Sequence, residues 1–83
     1  MKILYFAWLR ERLNKGEEEL SPPGEVKTVA DLIAWLAARE DGAGLAFANP
    51  KIIRAAIDAH IVPPEALIAG ANVVALFPPM TGG

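Results

Sequence analysis

The chain has 83 residues, enough for one domain around one modest core. Lysine and arginine number 8 against 10 aspartates and glutamates, and the basic residues never cluster, so nothing resembles a nucleic-acid footprint. Cysteine is absent, which excludes disulfides, thiol catalysis and thiolate metal sites and fits a cytoplasmic setting, while an apolar share of 53% exceeds what one small core consumes and points to a partner.

The opening carries an apolar run from Ile3 to Leu9 that ends at Arg10 and Glu11. That run is far short of the roughly 20 apolar residues of a membrane span, and no small-residue cleavage site follows it. Residues 2–8, KILYFAW, read instead as an interior strand. Alternation turns Ile3, Tyr5 and Ala7 one way and Lys2, Leu4, Phe6 and Trp8 the other, with the Lys2 side outermost. LRERLNKG then reads as a short helical turn capped by Gly16. The acidic EEEL of 17–20 suits a sheet edge, where charge discourages unwanted pairing, and SPPG of 21–24 makes a turn.

TVADLIAWLAARE, residues 28–40, is the main helix. Thr28 caps it with Asp31 placed for a capping box, and Val29, Leu32, Ile33, Leu36 and Ala37 share one face. Arg39 suits the helix dipole near the C-terminus, and Gly42 ends the helix. Residues 41–50 form a loop with room for one helical turn. Lys51 to Asp58 reads as a strand, Val62 to Gly70 as a proline-initiated connection, and Asn72 to Phe77 as the last strand. There Val74 and Leu76 face one way and Val73, Ala75 and Phe77 the other. This order predicts an α+β roll with the helix on one sheet face, and the two most apolar strands, first and last, as central neighbours. No repeat, low-complexity segment or domain boundary is visible; residues 1–77 form the body and 78–83 a tail.

The inventory for catalysis is nearly empty. His60 is the only histidine, with Asp58 two residues before it, and no nucleophile accompanies the pair. Ser21 lies in the proline turn, and Gly42 to Gly44 lack the lysine of a phosphate loop. One histidine without cysteine cannot assemble a typical zinc site, so no metal is expected. The tail differs from all of these. Pro78 and Pro79 lack an N–H and must stop a sheet ladder. Six residues from Pro78 onward reach about 20 Å beyond the body. Gly82 and Gly83 carry no side chain and fit a slot too narrow for a β-carbon. A stiff base and a thin tip make a probe for another protein's active site; the alternative is an ordinary frayed end.

The ending FPPMTGG and the opening LYFAWLRE together resemble the small, sulfur-carrying subunit family of molybdopterin synthase, a ubiquitin-like family, over essentially the whole chain. The motif FPP-x-T/S-GG is the specific part; a bare terminal GG is common to ubiquitin-like proteins. AGAN of 69–72 departs from the family's usual acidic turn, and Ile57-Asp58 stands where Val-Asn is frequent. The resemblance implies a ubiquitin-like β-grasp: a mixed sheet with one main helix, first and last strands parallel, and a flexible Gly-Gly tail. It implies that the Gly83 carboxylate, with Gly82 behind it, is adenylated by an ATP-dependent enzyme of the ubiquitin-activating type, converted by a sulfur donor enzyme to a thiocarboxylate, and inserted into the large synthase subunit of a heterotetramer. There it would give sulfur to a cyclic pyranopterin precursor. The acyl-adenylate and thiocarboxylate are covalent states, with no bound cofactor, no membrane and no catalysis by the chain alone. Phe6, Arg10, Ile61 and Phe77 match the family's docking surface, continued by Pro78, Pro79, Met80 and Thr81. For Phe6 and Phe77 the other reading is core filling. Two rival functions stand beside this one: a sulfur carrier for thiazole or tRNA thiolation or a protein modifier, and an interaction module with an inert tail.

Overall fold

The computed structural model describes residues 1–39 and 46–79. Five strands and two α-helices follow in the order β1 (Lys2–Tyr5), α1 (Ala7–Leu13), β2 (Glu17–Glu19), α2 (Val29–Ala37), β3 (Arg54–Ile57), β4 (His60–Val62) and β5 (Val73–Phe77), with a 3-10 turn at Pro50–Ile52 before β3. The sheet order is β2-β1-β5-β3-β4. β1 and β5 are parallel at its centre, and every other pair is antiparallel. The mixed sheet and the adjacency of first and last strands are as the sequence predicts.

The inner face follows from alternation. Ile3 and Tyr5 on β1 and Val74 and Leu76 on β5 are essentially fully buried, and they join Leu32, Ile33 and Leu36 of α2 in one cluster. α2 begins as a capping box: the Asp31 N–H donates to Thr28 Oγ1 at 3.1 Å, and the Thr28 N–H donates to Asp31 Oδ2 at 3.2 Å. The Val29 and Ala30 N–H groups donate to the carbonyls of Ala66 and Pro64 at 3.0 and 2.9 Å. The four donors that a helix start leaves open, the N–H groups of residues 28–31, are therefore all engaged, and the Leu32 N–H makes the first ordinary helical bond, to the Thr28 carbonyl. α2 is sewn to the connection after β4 by its own termination chemistry.

Several expectations need correction. β1 stops at Tyr5 rather than running to residue 8; Phe6 caps α1, and Ala7 and Trp8 belong to that helix. The aromatic run favours a strand, but on a strand Glu11 would share the face of Leu9 and Leu13; the helix buries both leucines and leaves Arg10, Glu11 and Arg12 exposed, and tertiary packing overrides propensity. Trp8 therefore leaves the sheet face and packs beneath the Arg12 guanidinium, 5.3 Å from ring centroid to Cζ. Asn14, at φ 56°, caps α1 in place of Gly16. The strand expected from Lys51 begins at Arg54, because Pro50 initiates the 3-10 turn. β4 was not anticipated. Its hairpin turns on Asp58 and Ala59, both at positive φ (47° and 73°), a pairing usually signalled by glycine. Phe47, in the stretch read as loop, is fully buried with its ring centroid 6.1 Å from that of Tyr5. α2 ends at Ala37 with Ala38 as cap; the expected stop at Gly42 and the rest of 40–45 lie outside the described residues.

One charge points inward. Glu18 pairs with Ile3 and so shares the inner face. Its carboxylate accepts from Tyr5 Oη (2.6 Å), Lys15 Nζ (3.0 Å) and both terminal nitrogens of Arg39 (2.8 and 3.0 Å). The Arg39 hydrogen bonds, helped by Tyr5 and Lys15, hold the carboxyl down to about 2 from an ordinary 4.5, against the opposing effect of burial. Burial, then Glu18, push the Tyr5 phenol well above 10. A depressed carboxyl stabilises the fold fully above its unfolded value and loses that contribution as pH falls toward 2; a raised phenol contributes below 10 and loses it as pH rises beyond. Chemical denaturation across pH should show a neutral plateau, with the Glu18 part of the acid limb amounting to about 2–3 kcal/mol between 4.5 and 2. Glu18→Gln should lower the plateau and flatten that limb; an acid limb unchanged in Glu18→Gln would remove Glu18 as its source.

Candidate functional site

The sheet face turned away from α2 is built by the same alternation. In register, Leu4, Ala75, Ala56 and Ile61 lie side by side across β1, β5, β3 and β4. A second row sits closer to the tail. Phe77 faces Arg54 across β5 and β3, and Phe6 continues the β1 ladder beside it, its N–H donating to the Leu76 carbonyl at 3.1 Å. None of these residues belongs to the buried cluster on the inner face. Phe6 is 46% exposed and Ile61 78%, while Phe77 is half-buried. The two alanines at the middle of the first row leave a shallow apolar floor between larger residues at either side.

The structure gathers Phe6 and Phe77 at one end of this face and places Ile61 at its β4 edge. Arg10 goes elsewhere. Its guanidinium lies over Gly16, where a β-carbon would stand 3.3 Å from Cζ, and Gly16 continues β2 on the far side of β1 from Phe77. A side chain at residue 16 would crowd the guanidinium, so Gly16 serves as a platform for Arg10 rather than as a helix cap. Pro78 and Pro79 follow β5 directly, half-buried, and end the ladder beside Phe6. Met80, Thr81, Gly82 and Gly83 lie outside the described residues.

Asp58 and His60 form no catalytic pair. The Asp58 carboxylate accepts from the backbone N–H groups of Asn72 (3.2 Å) and Val73 (3.0 Å), tying the hairpin turn to the start of β5. His60 Nδ1 lies 3.1 Å from the Asp58 carbonyl instead. Among the described residues no cluster of three or more histidine, aspartate or glutamate side chains is placed to hold a metal. No helix among them is long and apolar enough to cross a membrane. An apolar groove of about 520 Å³, lined by Met1, Pro23, Val26 and Leu67, opens at the start of β1, the opposite end of the sheet from the tail.

Sequence reasoning did not single out Arg54. The signal was its parity: residues 54 and 56 must face the same way on a strand, and the register puts both on the outer face, Arg54 in the row that leads into the tail.

A parallel pair of first and last strands inside a mixed five-stranded sheet, one capped helix on the inner face and a proline-ended final strand define a ubiquitin-like β-grasp protein. The fold matches the crystal structure of SAMP1 from Haloferax volcanii with a TM-score of 0.70, at 23% sequence identity, over 99% of this chain and 97% of that one. The model of the ThiS family matches residues 3–83, and the chain belongs to that family. Over 83 residues it is 32% identical to the molybdopterin synthase sulfur carrier subunit of Escherichia coli (strain K12), covering 100% of this chain and 99% of that protein. The resemblance drawn from the opening and the tail motif is borne out.

The placement has a direct test. Phe6→Glu and Phe77→Glu, on the outer face, should cost the free domain about 1 kcal/mol or less, whereas Phe47→Ala, in the core, should cost about 3–5 kcal/mol. Thermal unfolding of the three variants measures this. Unfolding of the free domain by either glutamate would place that phenylalanine in the core after all.

Proposed function

We propose that the chain is a sulfur carrier for molybdopterin formation, with the Gly83 carboxylate as its reactive group and no catalysis of its own. The observation that carries the reading is the join between tail and body: β5 runs out of the sheet centre through Phe77, Pro78 and Pro79 beside an uncovered apolar face. Family membership through residue 83 and the E. coli relative's role as a molybdopterin synthase sulfur carrier support it. The Asp58 carboxylate is engaged by the backbone of Asn72 and Val73 rather than by His60, so that pair supplies no base, and this reading puts the reactive chemistry in the tail.

A carboxylate at neutral pH is anionic and a poor electrophile. An adenylating enzyme of the ubiquitin-activating type joins the Gly83 carboxylate oxygen to the α-phosphorus of ATP and releases pyrophosphate. A sulfur donor enzyme then releases sulfide-level sulfur as hydrosulfide, whose sulfur bonds to the acyl carbon as the bond to adenylate breaks; AMP leaves and the thiocarboxylate remains. Inserted into the large synthase subunit, the thiocarboxylate sulfur bonds to a carbon of the pterin precursor, and water cleaves the acyl carbon–sulfur bond, returning the Gly83 carboxylate. Phe6, Phe77 and Ile61 bury against both partners in turn, Arg10 lies at the β2 side of the same end, and Pro78 to Thr81 thread the channel. Gly82 and Gly83 pass where a β-carbon would not.

Intact mass after incubation with adenylating enzyme, ATP and a sulfur source should show an oxygen-to-sulfur replacement at the C-terminus. Reconstitution with a pterin-binding large subunit, against a thiazole synthase, separates this pathway from other carriers. Deleting Gly83 withdraws the carboxylate by about 3.5 Å. Since a 1 Å misplacement costs about a hundredfold, the deletion variant, even when chemically thiocarboxylated, should lose synthase activity with no change in thermal stability. Normal conversion by that variant would refute a length-tuned tail.

A further inference from the structure

Arg54 is an exposed cation at the tail end of the outer face that the docking set leaves out. It stands directly across from Phe77, the last residue before the tail, on the neighbouring strand about 5 Å away. One of its terminal nitrogens donates to the Lys51 carbonyl at 3.0 Å, which fixes the guanidinium at the head of β3. Among the described residues no carboxylate pairs with it; the ion pairs of Glu17, Glu18 and Glu19 are made at the β2 edge with Lys2, Lys15, Arg39 and the N-terminus. The nearest carboxylate on β3's hairpin, Asp58, is spent on the backbone of Asn72 and Val73 at the other end of the strand. The remaining guanidinium donors therefore point to nothing within the described chain.

Resting on the carrier reading above, we infer that Arg54 is a partner-recognition residue: the adenylating enzyme that takes up the tail presents an aspartate or glutamate carboxylate to its free guanidinium edge. A protein that swallows the chain from Pro78 onward must cover Phe77, and a surface that covers Phe77 removes water from the adjacent row position, Arg54. A guanidinium stripped of water without an anion is strongly disfavoured, and its planar fork matches a carboxylate with two parallel hydrogen bonds. An apolar face with one fixed cation at its tail end also sets orientation. Phe6 and Phe77 give area without direction, whereas one charge pair at one end selects which way round the partner sits.

The experiment is calorimetric binding of the full-length, unmodified chain to its adenylating enzyme, with ATP omitted so that only docking is read. Arg54→Glu should weaken binding at least about 30-fold, the range for truncating or opposing a desolvated charge pair. Arg54→Lys keeps the charge but not the fork and should fall between wild type and Arg54→Glu. Residue 54 is exposed, so thermal unfolding should be nearly unchanged in both. Phe77→Glu serves as the control for the face itself. If Phe77→Glu abolishes binding while Arg54→Glu binds within about twofold of wild type, the recognition role fails and the carrier reading stands. Tighter binding by Arg54→Glu would equally overturn it, by showing a basic partner surface. Should both variants bind as wild type, the outer face is not the docking site and the carrier reading's choice of surface fails with it.

Discussion

The parallel pairing of β1 with β5 is the constraint on which the rest depends. It brings residues more than 70 positions apart into register, Lys2 beside Val73 and Tyr5 beside Leu76. The chain between them must cross the sheet and return, so β2 is laid beside β1, β3 and β4 are laid beside β5, and α2 packs across the seam. The seam also sets the polarity of the molecule. Both strands run toward the same end, so Phe6, α1 and the tail all emerge there, and the opposite end receives Met1 and the turn before β5. Because a strand alternates, the same pairing assigns Ile3, Tyr5, Val74 and Leu76 to the core and Leu4, Ala75 and Phe77 to the outer face in one stroke.

An outer edge strand of only three residues holds on to this centre through Glu18. An inward-facing carboxylate on an edge strand is a known device against edge-to-edge association, and here it is tied from four directions by Tyr5, Lys15 and the two Arg39 nitrogens. Breaking one partner of such a pair leaves a charge poorly solvated, so the cluster fixes register more than it adds net stability. It also couples elements distant in sequence. Arg39 follows α2, Tyr5 ends β1 and Lys15 precedes β2, so the helix end, the central strand and the edge are locked through one side chain. The other edge, β4, carries no such guard; His60, Ile61 and Val62 include no aspartate, glutamate, lysine or arginine, and Ile61 is 78% exposed.

The sequence made the inner face legible because alternation on β1 and β5 and the 3.6-residue period of α2 are strong signals, and the Thr28-Asp31 box marks the helix start to the residue. What it hid was decided by tertiary energy or by backbone conformations with weak residue signatures. The segment Phe6-Ala7-Trp8 has strand propensity, yet burial of Leu9 and Leu13 recruits Ala7 and Trp8 into α1. The β3–β4 hairpin turns on Asp58-Ala59 at positive φ, where no glycine announces it; the cost of about 1–2 kcal/mol for an L-residue there is offset by the two hydrogen bonds Asp58 makes to β5. Arg39 looked like a dipole partner for α2 and is instead the clamp on Glu18, a contact across 21 residues that no local pattern displays. At the candidate site, alternation was enough to place Phe6 and Phe77 on the outer face. Arg54 needed the pairing register, which only the folded sheet supplies.

Two prolines explain how a central strand becomes a tail. β5 is flanked by β1 and β3 on both sides, the position from which a strand is least free to leave. Its last bond to β1 is the Phe6 N–H to the Leu76 carbonyl, after which Ala7, at φ 54°, turns β1 away into α1. On the β3 side, Arg54 is the last residue in register, and the 3-10 turn at Pro50–Ile52 draws the preceding chain aside. Both neighbours thus depart within one residue of Phe77. Pro78 and Pro79 offer no N–H for a neighbouring strand to capture and hold φ near −65°, so the ladder of β5 cannot continue through them. The same three devices, Ala7, the Pro50 turn and the proline pair, leave Phe6, Phe77 and Arg54 as the terminal row of an open face. On the proposed reading, a carrier of this kind needs nothing more from its body than a fixed row at which a partner stops and a tail whose length is counted from there.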